Sequence, residues 1–167
     1  GDLAQISDAE ISAMSRKVFE PMQRQRKNAL SPKEVLSRIQ AVVFPYDVSI
    51  VKNGNALSRA QKELERIREE DLPRMEADDP HYLLKLREVE AICFVSLLFV
   101  RASLERKESR AGHFREDYPA LDPNGPSWLL LKPDGGDGEF VWRKVPLASY
   151  RHKLSRCYQD NFNFTNN

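Results

Sequence analysis

The fold is decided by the segment from Asp79 to Arg110, which reads DPHYLLKLREVEAICFVSLLFVRASLERKESR. Asp79 followed by Pro80 has the order of a helix N-cap and a first helical residue. Behind them, apolar residues recur at steps of three and four and form two stripes on two sides of one helix. The first stripe contains Leu86, Val89, Cys93, Leu97, Val100 and Leu104, and the second contains Leu84, Ala91, Val95, Leu98 and Ala102. A helix that is apolar on two sides packs against more than one neighbour, so the segment predicts a central helix that ends near Arg110.

Three further helices are predicted upstream of this segment. The spacing of Ser7 and Glu10 is that of a capping box. Ser31 followed by proline begins a second helix, and a third begins near Asn53 and ends at Pro73. Because short links join the last three of the four helices, we expect an antiparallel, spectrin-like three-helix bundle with an extra N-terminal helix.

The sequence changes character after Pro119. Trp128 to Lys132 and Glu139 to Val145 read as two strands, and the glycine-rich link between them is typical of a hairpin loop. The fold class is therefore mainly α with a C-terminal β-hairpin or extended segment. We expect four parts: an N-terminal helix and linker (1–30), the helical bundle (31–112), a loop and hairpin (113–150), and a flexible tail (151–167).

Composition limits the class of protein. The chain has 167 residues, 41% of them hydrophobic and 31% charged, and a net charge of +1, which fits a globular protein and gives no general attraction to nucleic acid. No apolar run is long enough to span a bilayer, and no signal peptide opens the chain. Cys93 lies in an apolar run, which favours a reducing compartment, so a cytoplasmic location is expected. The start at Gly1 suggests a piece of a longer polypeptide.

Motifs for cofactors and metals are not found in the sequence. The only glycine cluster, within 135–138, lacks both the dinucleotide-binding spacing and a following helix. The three histidines and two cysteines lie far apart, without metal-site spacing. We therefore expect no catalytic, cofactor-binding or metal-binding residue in this chain.

The segment from Arg106 to Pro119, RKESRAGHFREDYP, joins many charges to a glycine and two aromatic residues. Gly112 is a candidate for the helix exit, after which His113 and Arg115 would alternate with Phe114 in an extended chain. Burying such charges unpaired would be costly, so we expect them to be exposed and to pair with a surface outside this chain. Three interpretations stay open: docking, proximity to an anionic substrate or cofactor, and an uninvolved helix end.

The segment resembles a family signature. Arg106 to Arg110, followed by His113, Arg115, Asp117 and Pro119, resembles the pattern R-x-E-S-R-G-A-H-x-R-x-D-[YF]-P near the C-terminus of fumarate reductase and succinate dehydrogenase flavoproteins. Relatives of that family include aspartate oxidase and the flavoprotein subunit of adenylylsulfate reductase. The resemblance covers roughly residues 6–152. One departure is that Ala111-Gly112 stands where the family commonly has Gly-Ala.

The resemblance implies the C-terminal helical domain of an FAD enzyme whose FAD-binding and capping domains precede it. Its partners would be those two domains and an iron–sulfur subunit, which could associate it with a membrane; direct membrane insertion and nucleic-acid binding are not expected. The candidate interdomain or near-site residues are Arg110, His113, Arg115, Asp117 and Trp128. The alternatives are a free-standing helical interaction module and, less in keeping with the charge, a nucleic-acid-binding bundle.

Overall fold

The computed structural model describes residues 6–24, 27–133 and 140–147. The chain divides into two compact units, residues 1–120 and residues 121–167. The first unit is mainly helical, and the second contains a β-hairpin. The prediction of a mainly α chain with a C-terminal hairpin is therefore confirmed. The finer division into four parts stays a prediction.

Within the described ranges, five α-helices and two short strands form the first unit. The helices are α1 (Asp8–Phe19), α2 (Pro32–Val43), α3 (Tyr46–Ser49), α4 (Gly54–Arg66) and α5 (Pro80–Glu105). A π-helical turn (Ile67–Asp71) and 3-10 turns (Glu20–Met22 and Leu72–Arg74) adjoin them. Strands β1 (Val51–Lys52) and β2 (Phe114–Arg115) pair in parallel, with Val51 opposite Phe114 and Lys52 opposite Arg115. The sequence did not predict α3 or this parallel pair.

The predicted helix starts are confirmed by capping contacts. Ser7 and Ser31 each form a capping box with the glutamate three residues later. The Asn53 side chain accepts the N–H of Asn55 at 2.9 Å at the start of α4. Asp79 accepts the N–H of Tyr82 at 2.8 Å at the start of α5. These side chains satisfy amides that have no partner within the helix, so local sequence decides where each helix begins.

The core lies where α2, α4 and α5 pack together. The first apolar stripe of α5 provides one side of this core, and the buried residues of α2 and α4 provide the other. The buried side chains of the three helices include Val35, Ile39, Leu57, Ala60, Leu64, Leu86, Val89, Cys93, Leu97 and Val100. Burial of each large aliphatic side chain contributes roughly 1.5–3 kcal/mol. The antiparallel, spectrin-like arrangement of the three helices stays a prediction.

The second apolar stripe of α5 does not enter this core. Leu84 is 57% exposed and Val95 is 60% exposed, and Ala91 is also exposed. α5 contacts both α2 and α4, as the prediction of more than one neighbour requires, but these two helices do not bury its second apolar stripe. The physical reason is that α2 and α4 both pack on the side of the first stripe. On the other side, Nη2 of Arg87 donates to the carbonyl oxygens of Lys17 and Val18 at the end of α1, both at 2.9 Å, while Leu84 and Val95 stay exposed.

Asp71 is the charged residue of the core region. It lies in the π-helical turn, almost fully buried, 2.8 Å from Nη1 of Arg38 and 3.3 Å from Nη2 of Arg66. Burial alone would raise the pKa of Asp71, but the hydrogen bonds from Arg38 and Arg66 outweigh it and lower the pKa. This ion-pair network fixes the chain where α4 turns toward α5.

The second unit contains the hairpin of β3 (Ser127–Pro133) and β4 (Phe140–Pro146). The strands are antiparallel, with Leu130 opposite Arg143. The predicted hairpin is thus confirmed, while its loop and the predicted flexible tail (151–167) lie outside the described residues. None of the helices in the described ranges combines the length and the apolar character that a membrane span requires.

Candidate functional site

The signature segment begins where α5 ends. α5 stops at Glu105, and Arg106 leaves the helical conformation with φ −80° and ψ 95°. The predicted helix end near Arg110, with Gly112 as its exit, is therefore wrong. The physical reason is that an arginine side chain from further along the segment, rather than another helical turn, binds the free carbonyl groups of the last turn.

Arg115 is the residue that closes α5. It is only 2% exposed, and Nη1 donates to the carbonyl oxygen of Ser103 at 2.5 Å and to that of Leu104 at 3.3 Å. The last carbonyls of an α-helix have no partner within the helix, and they carry partial negative charge. The guanidinium therefore both satisfies these carbonyls and complements the helix dipole.

Asp117 extends this contact to α4. Nε and Nη2 of Arg115 each lie 2.7 Å from one carboxylate oxygen of Asp117, so the pair is bidentate. Asp117 Oδ2 also accepts the N–H of Gly54, the first residue of α4, at 3.2 Å. The hydrogen bonds from Arg115 are the main cause that lowers the pKa of Asp117. One ion pair thus joins the C-terminal end of α5 to the N-terminal end of α4.

Glu108 is the buried anion of the segment. It is 3% exposed, and its two oxygens accept from Nη1 of Arg106 at 2.6 Å and from Nη2 of Arg110 at 2.9 Å. We expected these charges to be exposed and to pair outside the chain. For Glu108 and Arg115 that expectation is wrong, because the segment folds back on α5 and supplies its own counter-charges.

A tight turn connects Arg110 to His113. The N–H of Arg110 donates to the carbonyl of His113 at 2.7 Å, and the N–H of His113 donates to the carbonyl of Arg110 at 2.9 Å. Ala111 has φ 49°, in the left-handed region that favours glycine, whereas Gly112 does not have a positive φ. The special backbone conformation therefore belongs to Ala111 and lies in this turn, not at the helix exit.

Ser109 and Phe114 set the direction of the chain after the turn. Ser109 Oγ accepts the N–H of Arg115 at 2.8 Å and donates to the carbonyl of Tyr118 at 2.9 Å. Phe114 is exposed while Arg115 is buried, which is the alternation predicted for an extended chain. One serine hydroxyl thus helps to hold the arginine in position.

His113 lies on the inner side of the turn. Its Nε2 is 3.2 Å from the carbonyl oxygen of Arg106, which requires Nε2 to carry a proton and donate. Burial is the main cause that lowers the pKa of His113, and the charges of Lys52 and Arg115 lower it further, while the Arg106 carbonyl opposes them. A neutral imidazole is therefore favoured at this position.

Lys52 is a residue of this region that the sequence did not reveal. It lies opposite Arg115 in the parallel strand pair and is 3% exposed. Its Nζ is 5.6 Å from the centroid of the Phe99 ring. Burial lowers the pKa of Lys52, and the charge of Arg115 adds to this effect. No local pattern marks this lysine as buried, because its burial results from pairing with a segment far away in the sequence.

Trp128 belongs to the second unit, where it lies on β3 opposite Val145 and is 52% exposed. The other four candidate residues lie together in the loop after α5. In the described ranges, no three His, Cys, Asp or Glu side chains lie close enough to hold a metal ion. With Glu108 and Asp117 bound to arginines, the loop is suited to a positioning role.

Comparison with known proteins identifies the family. Residues 40–160 match a family model described as the C-terminal part of fumarate reductase flavoproteins. The chain is similar to a fumarate reductase (CoM/CoB) subunit of Methanothermobacter marburgensis, at 28% identity over 110 residues, covering 64% of this chain and 20% of that protein. It is also similar to an uncharacterized FAD-dependent oxidoreductase of Methanocaldococcus jannaschii, at 29% identity over 129 residues, covering 77% and 23%.

A solved structure has a similar fold. The chain resembles a chain of the Mycobacterium smegmatis Sdh1 complex in the apo form with a TM-score of 0.68 and 23% identity, covering 87% of this chain and 25% of that one. The chain thus spans between a fifth and a quarter of the length of these proteins. The resemblance seen in the signature segment is confirmed, and the chain belongs to the fumarate reductase and succinate dehydrogenase flavoprotein family, in which it corresponds to the C-terminal domain.

Proposed function

We propose that this chain is the C-terminal domain of a subunit of an FAD-dependent oxidoreductase, and that it is not catalytic alone. In this proposal it packs on the FAD-binding and capping domains of the same polypeptide and on a partner subunit that carries iron–sulfur clusters. Membrane association would then come through partner subunits. FAD would be bound by the domains outside this chain, which accords with the FAD-dependent description of the relative from Methanocaldococcus jannaschii.

The observation that carries the proposal is the exposed apolar side of α5. Leu84, Val95 and Phe99 are all at least two-fifths exposed along one long helix. Large contiguous apolar surface on a protein marks an interaction site, because burying it from water is favourable. Since the chain spans no more than a quarter of its matched relatives, the remaining part of such a protein is the natural cover for this surface.

The signature segment, Arg106 to Pro119, has two roles in the proposal. Arg115 and Asp117 hold the loop against the ends of α5 and α4, so they act as positioning residues. Arg110, His113 and Trp128 would contact the FAD-binding or capping domain. The partial exposure of the Arg110 side chain, which persists although it is paired with Glu108, supports this assignment. In an alternative form of the proposal, His113 lies near the substrate.

The experiment compares one substitution in two contexts. Val95→Asp should leave the unfolding of the 167-residue chain nearly unchanged, because the side chain is 60% exposed there. In the full-length flavoprotein it should reduce retained FAD and increase proteolysis between domains. Lys62→Asp, at an exposed position of α4, is the matched control. Unchanged FAD content and protease resistance in full-length Val95→Asp would contradict the proposal.

The gene sequence upstream of this chain distinguishes a flavoprotein domain from a free-standing interaction module. A glycine-rich dinucleotide-binding fingerprint in the several hundred codons before Asp2 would decide for the flavoprotein, because that motif binds the pyrophosphate of FAD at a helix N-terminus. A start codon directly before Asp2 would decide for the module.

A further inference from the structure

Lys52 carries a buried charge that the described part of the chain does not neutralise. Lys52 is 3% exposed. Among the described residues, no carboxylate forms an ion pair with its Nζ, and no acceptor lies at hydrogen-bonding distance from it. Its Nζ lies over the Phe99 ring, 5.6 Å from the centroid. An ammonium that keeps only a small contact with water and has no anion is unfavourable, and one aromatic ring at this distance compensates only part of the cost.

The neighbouring carboxylates are engaged elsewhere. Both oxygens of Asp117 are held by Arg115, and Oδ2 also accepts from Gly54. The side chain of Glu116 accepts from Asn53 at 3.3 Å. Glu116 follows Arg115 in the turn after β2. The N–H of Glu116 donates to the carbonyl oxygen of Lys52 at 2.9 Å, but among the described residues no ion pair joins the Glu116 carboxylate to Nζ of Lys52.

The ammonium is nevertheless close to the surface. Among the described residues, Arg101 Nε is the side-chain polar atom that lacks both a partner and contact with solvent. Lys52 Nζ also lacks a partner, so it must keep some contact with solvent. Phe99, beside the ammonium, is 41% exposed, and Phe114 in the paired strand is also exposed. The site is therefore a cation with a small contact to solvent, next to exposed aromatic side chains.

We propose that Lys52 receives an acidic side chain, Asp or Glu, from the part of the flavoprotein polypeptide that lies outside these 167 residues. The chemistry points to a carboxylate because the ammonium has no anion, whereas the Arg115 guanidinium beside it is already paired with Asp117. The apolar side of α5, to which Phe99 belongs, would bury the surroundings of this ion pair. This inference rests on the proposed function, since it requires a polypeptide that extends beyond this chain.

The test is zero-length coupling by a water-soluble carbodiimide in the full-length flavoprotein, followed by peptide mass spectrometry. This reagent joins an amine to a carboxylate only when the two are in contact. We expect a cross-link between Lys52 and an Asp or Glu outside residues 1–167. Lys85 and Glu88, 2.9 Å apart on α5, are the internal positive control. Coupling of Lys52 only within residues 1–167, or no coupling of Lys52 while the control pair couples, would overturn the inference.

A second measurement compares Lys52→Met in the two contexts, because methionine keeps the length of the stem without the charge. In the 167-residue chain, the variant should raise Tm by about 2–4 °C, since a largely buried charge without an anion is removed. In the full-length protein it should lower Tm by a similar amount, since the carboxylate loses its partner. Lys62→Met is the exposed control on α4. A shift of the same sign in both contexts would overturn the inference.

The flavin content of the wild-type full-length protein separates the two proposals. Full flavin occupancy without the Lys52 cross-link rejects only the docking role of Lys52. A Lys52 cross-link in a protein that binds no flavin rejects the flavoprotein assignment and keeps the docking contact.

Discussion

Arg115 and Asp117 form a bidentate ion pair, with both N–O distances at 2.7 Å, that holds the C-terminal end of α5 beside the N-terminal end of α4. Each charge has the sign that its helix end favours: the guanidinium meets the carbonyls of α5, and the carboxylate meets the first N–H of α4. The family signature thus contains an ion pair that connects two helix ends within the domain.

Arg115→Met should lower the free energy of unfolding by about 3 kcal/mol, because it leaves buried carbonyls of α5 without a donor. Arg115→Lys should recover only part of this loss, since an ammonium cannot form the bidentate pair and cap the helix together. Urea denaturation of the 167-residue chain measures the effect.

Arg59→Met is the control for Arg115→Met, because Arg59 is exposed and lies 3.8 Å from Asp47 in a surface ion pair. Its effect should stay within about 0.5 kcal/mol. If Arg115→Met and Arg59→Met had equal effects, the helix-closing role of Arg115 would be wrong.

Gly54→Ala should destabilise the fold, although alanine is normally the better helix residue by about 1 kcal/mol. A Cβ at this position would lie 2.6 Å from Oδ2 of Asp117 and 3.2 Å from Nη2 of Arg115, so the ion pair would have to move. We expect a loss of about 1–3 kcal/mol by urea denaturation. Gly112→Ala is the comparison, since nothing lies within 4 Å of a Cβ there. A stabilising effect of Gly54→Ala would contradict this account.

Exchanging Ala111 and Gly112 should stabilise the turn. Ala111→Gly relieves the left-handed conformation at φ 49°, which costs an L residue about 1–2 kcal/mol. Gly112→Ala reduces the entropy of the unfolded chain at a position without positive φ. The double variant, which restores the Gly-Ala order of the family pattern, should gain about 1 kcal/mol in urea denaturation. A loss of stability in the Ala111→Gly single variant would show that the turn does not strain Ala111.

His113 should make the domain less stable as the pH falls below 7. Its pKa is lower in the folded state than its ordinary value of 6.5, mainly because of burial, so the unfolded state binds the proton more readily. The stability that the neutral ring contributes is present above pH 6.5 and is lost as the pH falls toward the folded pKa. His113→Gln should therefore show a flatter dependence of unfolding free energy on pH between 8 and 5.

His81→Gln, at an exposed position of α5, is the control for His113→Gln. Carboxylates such as Asp117, with an ordinary pKa of 3.8 and a lowered folded value, lose their contribution only at lower pH. Identical pH profiles for the wild type and His113→Gln would mean that His113 does not titrate differently on folding.

The helices, the hairpin and the family could be predicted from the sequence because each depends on residues close together in the chain. Ser31 and Asp79 mark helix starts through contacts within one turn. The first stripe of α5 shows its buried side through its 3.6-residue period. The signature from Arg106 to Pro119 was recognised as a continuous pattern.

The end of α5, the exposure of its second stripe and the burial of Lys52 were decided only by the tertiary structure. α5 ends at Glu105 because Arg115, from a separate strand, binds its last carbonyls. Lys52 is buried because it pairs beside that same arginine across a large sequence separation. Local sequence shows helix propensity and the period of the apolar residues. It does not show which distant side chain binds the end of a helix, or which side of a helix stays uncovered after packing. Those outcomes depend on packing between segments, and here they determine which charges of the signature stay inside the domain.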